Sequence, residues 1–205
     1  DELDYINYIS ETDSYRSVFG ALETPVVFVR GNHEDFEYLS QFRQPAPVDP
    51  WGRITYVPNG HCYELVSDTG QVRIASFGGI APKLETCARG QKSRDSFGKS
   101  RQRSERNPKR FTRAEAEKAF LGARDIDILM THAGPEMPDF SAGSVLLRKL
   151  CDRLQPRVHL FGHHHRVYGP AKGPVGECLV GLEHVDFDRQ GDLKEGCWGI
   201  LEVSE

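Results

Sequence analysis

The sequence predicts an α/β fold, and three observations carry that expectation. Three short apolar runs, Val26–Val29, Ile126–Met130 and Val158–Phe161, each pass at once into a polar turn that bears histidine. Between them lie stretches with helical signals, including Thr112 followed three residues later by Glu115. The 205-residue length and 38% hydrophobic content suit one soluble domain with a substantial core. In sheets built from βα units, ligands gather at the carboxyl ends of strands, so three strands that each deliver histidine there can build one site.

Taken in order, Glu2 to Leu22 has Leu3, Ile6, Ile9, Val18 and Phe19 partly at helical spacing and reads as a helix that Thr24-Pro25 breaks. Pro25–Val29 is a continuous β-branched run, expected as a buried strand ending at Gly31. Glu34 to Phe42 predicts a short helix, and Pro45, Pro47 and Pro50 an irregular crossing. Ile54–Val57, His61–Val66 and Val72–Phe77 read as strands, the last two joined as a hairpin through Asp68-Thr69-Gly70. Gly78-Gly79 ends the hairpin and a long polar segment follows.

The Thr112/Glu115 capping box starts a helix expected to reach about Leu121. Ile126–Thr131 is a strand ending at His132, and Gly143–Leu154 is a helix with Val145, Leu146, Leu150 and Leu154 on one face. Arg157–Phe161 is a strand ending at Gly162. Cys178–Leu182 and Cys197–Val203 are expected as closing strands.

The net charge of −4 is unevenly spread. Ala88 to Arg113 holds ten Lys/Arg against two acids, Asp95 and Glu105, so it carries +8 and the remainder −12. An acidic body with one basic segment favours a local contact to an anionic partner. The five cysteines are odd in number and widely spaced, without a CxxC pair, which points to free thiols in a reducing, cytoplasmic compartment. Mean hydropathy is −0.52, the opening stretch is acidic, and no apolar run nears the roughly 18 residues of a membrane helix, so no membrane role is expected.

Histidine is the commonest metal ligand near neutral pH. His163 and His165 are two apart and share a side in an extended segment, and His132 adds a third imidazole. Asn32 offers a carbonyl oxygen. Such a set suits Mn, Fe, Zn or Mg rather than a soft thiolate-binding ion. His159, inside an apolar strand, reads as structural. His61 and His184 belong to no motif, and Glu183 and Asp186 read as surface or supporting groups.

Gly31-Asn32-His33-Glu34, Thr131-His132 and Gly162-His163-His164-His165 resemble, in order and in the strand preceding each, the GNH[DE], H and GHxH motifs of the calcineurin-like metallophosphoesterases. The resemblance touches most of the chain from Pro25 to about Arg166. It implies a two-sheet β-sandwich flanked by helices (αββα) and a phosphoesterase with two divalent ions, manganese favoured. It implies that Asn32, His132 and His163 bind the second metal and His165 the first. His33 is then the catalytic acid or transition-state stabiliser and Glu34 orients it. A metal-bridging hydroxide is expected to attack phosphorus.

The family's DxH is not in this sequence, and that segment is expected to precede Asp1. Asp1-Glu2-Leu3-Asp4 has D-x-x-D spacing, and Asp1 lies 31 residues before Asn32. Asp1 is either the bridging carboxylate ligand, the final Asp of a GDxxD begun upstream, or a frayed surface acid. His164, at the x of GHxH, is expected to support the ligands or contact substrate.

The organisation expected is a single domain over 1–205 with a basic insertion at about 84–112. That insertion, with Arg101 and Arg103 as substrate contacts and Phe97 and Phe111 available for base stacking, points to a phosphodiester in nucleotides or nucleic acid. Its place after Gly78-Gly79-Ile80 is faintly similar to the lariat-debranching branch of the family. The alternative is a non-catalytic protein-interaction scaffold of the same fold. The absent DxH favours it, and the retained His33 and complete GHxH oppose it. Nothing in the sequence speaks to oligomeric state.

Overall fold

The computed structural model describes residues 24–68, 70–82, 107–137 and 142–202, with 8, 11, 12, 17 and 21, and builds a mixed α/β fold on two sheets. The helix expected over Glu2–Leu22 falls almost wholly outside these residues. So do Asp1, Arg101, Arg103 and the rest of the basic segment up to position 106.

The smaller sheet has the order β1-β3-β2, from β1 (Val26–Phe28), β2 (Ala46–Pro47) and β3 (Ile54–Tyr56). β1 runs parallel to β3 with Val26 opposite Ile54, and β2 is antiparallel to β3. The expectation of a buried β1 is corrected: Val26 is 42% exposed, because β1 lies at the margin of this sheet among the described strands. The proline crossing is corrected too, since Ala46–Pro47 forms a strand. Val48 donates to the Ile54 carbonyl at 2.8 Å, so alternation turns the Pro47 nitrogen away from β3 and no ladder bond is lost. Helix α1 (Phe36–Leu39) starts at Asp35, whose carboxylate accepts from the Tyr38 amide. Its Leu39 packs with Val48 and Tyr56 in a small core.

The larger sheet has the order β4-β5-β6-β7-β9-β8. β4 (His61–Ser67) and β5 (Gly70–Phe77) form the expected hairpin, paired from His61/Ser76 to Ser67/Gly70. β5, β6 (Ile128–Thr131), β7 (Val158–Phe161) and β9 (Cys178–Gly181) are parallel neighbours. Their registers place Phe77 beside Thr131, Met130 beside Leu160, and Phe161 beside Gly181. Four chain segments therefore leave the sheet at one carboxyl edge.

Helix α2 (Arg113–Lys118) has the predicted capping box. It stops before Leu121 because Ala119 turns extended and Phe120 left-handed. Arg153 donates to the Ala116, Glu117 and Ala119 carbonyls, satisfying acceptors that the helix end leaves open. α3 (Val145–Leu154), capped by Ser144, buries Leu146, Leu147, Leu150, Cys151 and Leu154 against Phe77, Phe111 and Leu129. β8 (Tyr168–Lys172) was hidden by Gly169-Pro170, which reads as a breaker. It pairs with β9 through a bulge and takes that edge, while residues 197–202, expected as a closing strand, form none.

His159 is fully buried between Thr131 Oγ1 at 2.7 Å and Cys151 Sγ at 3.1 Å, as a structural reading requires. Burial pushes its pKa down to about 3. The unfolded chain gains a proton below about pH 6.5 that the folded ring refuses, so this share of stability is complete above pH 6.5 and is lost as pH falls towards 3. Urea unfolding of His159→Gln should therefore lose less stability between pH 7 and pH 4 than the parent. Identical pH slopes would refute the assignment.

Candidate metal centre

Three of the carboxyl-edge and strand-end turns converge on His132, which follows β6. Its Nε2 lies 2.7 Å from Asn32 Oδ1, on the turn after β1, and 3.1 Å from His163 Nδ1, on the turn after β7. The approach of the first turn depends on Gly31, where a Cβ would fall 2.7 Å from His132 Cε1. The Glu34 carboxylate closes that turn by accepting from the amides of Gly31 at 2.5 Å and His33 at 3.1 Å. Glu34 thus acts on His33 through the backbone. The His33 side chain stands exposed at the mouth of the group.

His163 and His165 have φ of 65° and 49°. The extended geometry expected for them gives way to a left-handed turn, a conformation that costs a non-glycine residue of order 1–3 kcal/mol and persists where surroundings enforce it. Here the Gly162 amide donates to the His132 carbonyl at 3.0 Å, and His164 Nε2 accepts from the Gly134 amide at 3.0 Å. His164 thus ties the turn after β7 to the turn after β6.

The two outer histidines consequently part company. His163 joins Asn32 and His132, and His165 stacks on His184 with ring centres 4.6 Å apart. His165, Glu183 and His184 present donor atoms within 4.8 Å of one another. Glu183 and His184 follow β9, and the sequence reading set both aside. The signal was present: Cys178–Gly181 followed by Leu182-Glu183-His184 is a fourth apolar run passing into a histidine-bearing turn. Asp1, Arg101 and Arg103 lie outside the described residues.

Burial, then the neighbouring His163, His164 and His33, hold His132 down to about 4. Burial and His165 likewise lower His163, and burial lowers His164 to about 4. Rings kept neutral at pH 7 present lone pairs to a cation without first releasing a proton. One ring N–H cannot serve both Asn32 and His163. An oxygen and two ring nitrogens near 3 Å is the spacing of ligand atoms about an ion with bonds of roughly 2.0–2.2 Å. The residues fit a divalent metal with oxygen and imidazole ligands, and no cysteine joins them among the described residues.

A mixed α/β fold with metal donors at the carboxyl edge of its strands defines a candidate metal-binding protein. The chain belongs to the calcineurin-like phosphoesterase family, whose model matches residues 2–167. Members are metal-dependent hydrolases of phosphate esters that bind two divalent ions. The crystal structure of TT1561 of Thermus thermophilus shares the fold, with a TM-score of 0.53 at 18% identity over 93% of this chain and 77% of that one. A second solved structure has a TM-score of 0.49 at 16% identity, over 93% of this chain and 73% of its own. No curated protein matches the sequence. Among the described residues no helix is long and apolar enough to cross a membrane.

Proposed function

We propose that this phosphoesterase is a cytoplasmic phosphodiesterase acting on nucleotides or nucleic acid, with manganese as the favoured metal. The observation that carries the substrate class is a cleft of about 450 Å³ lined by Arg30, Arg43 and Arg110 and by Phe36, Phe42 and Tyr56. Arg30 immediately precedes the Gly31-Asn32 turn, and the charge of Arg110 reaches His163. No metal donor lines the cleft itself, and these two arginines are what link it to the turn that bears Asn32 and to His163. Arg30 donates to the Pro108 carbonyl and lies 5.9 Å over the Phe36 ring, and Arg110 donates to the Ala81 carbonyl. Each guanidinium has five N–H groups, so one such bond orients it and leaves others for phosphate. Cations beside aromatic walls suit a phosphate next to a base. Asn107, Pro108 and Arg110, from the end of the basic segment, form part of this wall.

Bound divalent ions lower the pKa of a coordinated water and offset charge on the phosphoryl oxygens. Asn32, His132 and His163 would hold one ion, and His165 would contribute to the other. The His33 imidazole, at the mouth, gives a proton to the ester oxygen as its bond to phosphorus breaks. Glu34 keeps His33 in place by accepting its amide. Arg30 and Arg110, in the cleft beyond the reacting ester, neutralise phosphates that flank the scissile one and so hold the longer substrate.

With Mn²⁺ present, kcat and KM for bis-p-nitrophenyl phosphate and a short oligonucleotide should separate in Arg110→Ala. Loss of one charge-assisted hydrogen bond should raise the oligonucleotide KM about tenfold and leave the chromogenic diester nearly unchanged. Equal effects on both, or preference for a phosphomonoester over either diester, would refute the reading.

A further inference from the structure

We propose that Glu183 and His184 join His165 as ligands of a divalent transition-metal ion, so that the turn after β9 builds one half of the metal centre. The inference rests on reading the carboxyl edge as that centre, and it adds two residues that belong to none of the motifs described above.

Topology places them. β9 is the parallel neighbour of β7 with Gly181 beside Phe161, and the Leu182 amide donates to the Phe161 carbonyl at 2.8 Å. The chain after Gly181 therefore leaves the sheet alongside the chain after Phe161, bringing Glu183 and His184 level with the histidine turn. The Glu183 amide is held by the Gly196 carbonyl at 2.9 Å, which braces this exit.

Among the described residues the donor set is two imidazoles and a carboxylate, an arrangement suited to Mn, Fe or Zn. Glu183 Oε1 lies 3.1 Å from His184 Nδ1, a spacing close to that of adjacent ligand atoms on one ion. A separate feature favours a ligand role for His184. Its other nitrogen, Nε2, faces Asp186 Oδ2 at 3.9 Å, and Asp186 is held by Lys194 and by the Phe187 amide at 2.9 Å. At 3.9 Å this is an ion-pair distance and not a hydrogen bond, but it sets a carboxylate on the side of the ring where metal-binding histidines carry one. The histidine and glutamate are accessible at the surface, so an ion can enter without any rearrangement of the core.

The test is metal content and affinity, read by elemental analysis after dialysis and by calorimetric titration with MnCl₂. The parent should bind two ions per chain. His184→Ala and Glu183→Gln should each lose one equivalent, or bind it at least about 10- to 100-fold more weakly, and retain the other. His132→Ala should lose the opposite equivalent. Two ions bound with parental affinity in both His184→Ala and Glu183→Gln would overturn the inference and leave the phosphoesterase reading standing. A parent that binds no metal would overturn both.

Discussion

His132→Ala is expected to abolish metal-dependent turnover, lowering kcat/KM by about 10³-fold or more, because removing a metal ligand should exceed the 10- to 100-fold cost of disturbing a supporting residue. His132 is where the site is joined. Its ring meets Asn32 at 2.7 Å and His163 at 3.1 Å, and its carbonyl takes the Gly162 amide. Among the described residues, truncation leaves this ion only an asparagine oxygen and one imidazole. The measurement is phosphodiester hydrolysis across a Mn²⁺ titration, with metal content determined on the same samples. The backbone bond to Gly162 survives the substitution, so the protein should remain folded. More than a tenth of parental activity in a metal-replete sample would remove His132 from the ligand set.

His33→Ala should act differently. Loss of a positioned acid lowers kcat by about 10²- to 10⁴-fold. Metal content should stay parental, since the ring lies outside the Asn32/His132/His163 group. The deficit should depend on the leaving oxygen. An alkoxide needs a proton as its bond to phosphorus breaks, whereas p-nitrophenolate departs without one. An oligonucleotide should therefore suffer far more than bis-p-nitrophenyl phosphate. Equal losses on the two substrates would exclude His33 as the proton donor.

The sequence carried the parts of this molecule whose causes are local. The Thr112/Glu115 capping box appears as predicted, and the runs ending at Gly31, His132 and Gly162 are strands or strand exits as expected. Features set by pairing were hidden. β2 contains a proline and β8 a Gly-Pro step, and only a neighbouring strand makes each one extended. The same holds at the site. The motif histidines announce themselves through glycine turns, but that His163 and His165 diverge depends on left-handed backbone held by Gly134 and His132. Arg30 and Arg110 are 80 positions apart in sequence, and nothing local reveals that they line one cleft.

Asn32 hangs from the three-stranded sheet, whereas His132 and His163 hang from the six-stranded one. The contacts joining the two sheets include the Ser76 hydroxyl to the Val57 carbonyl at 2.7 Å and the Gly79 amide to the Arg30 carbonyl at 2.9 Å. An ion held by all three side chains acts as a rivet between separate layers. By linkage, it stabilises the native state by about 2.7 kcal/mol at a free concentration 100 times its Kd. With Asn32, His132 and His163 as ligands, metal supply would set the durability of the protein as well as its chemistry, through the seam where the sheets meet.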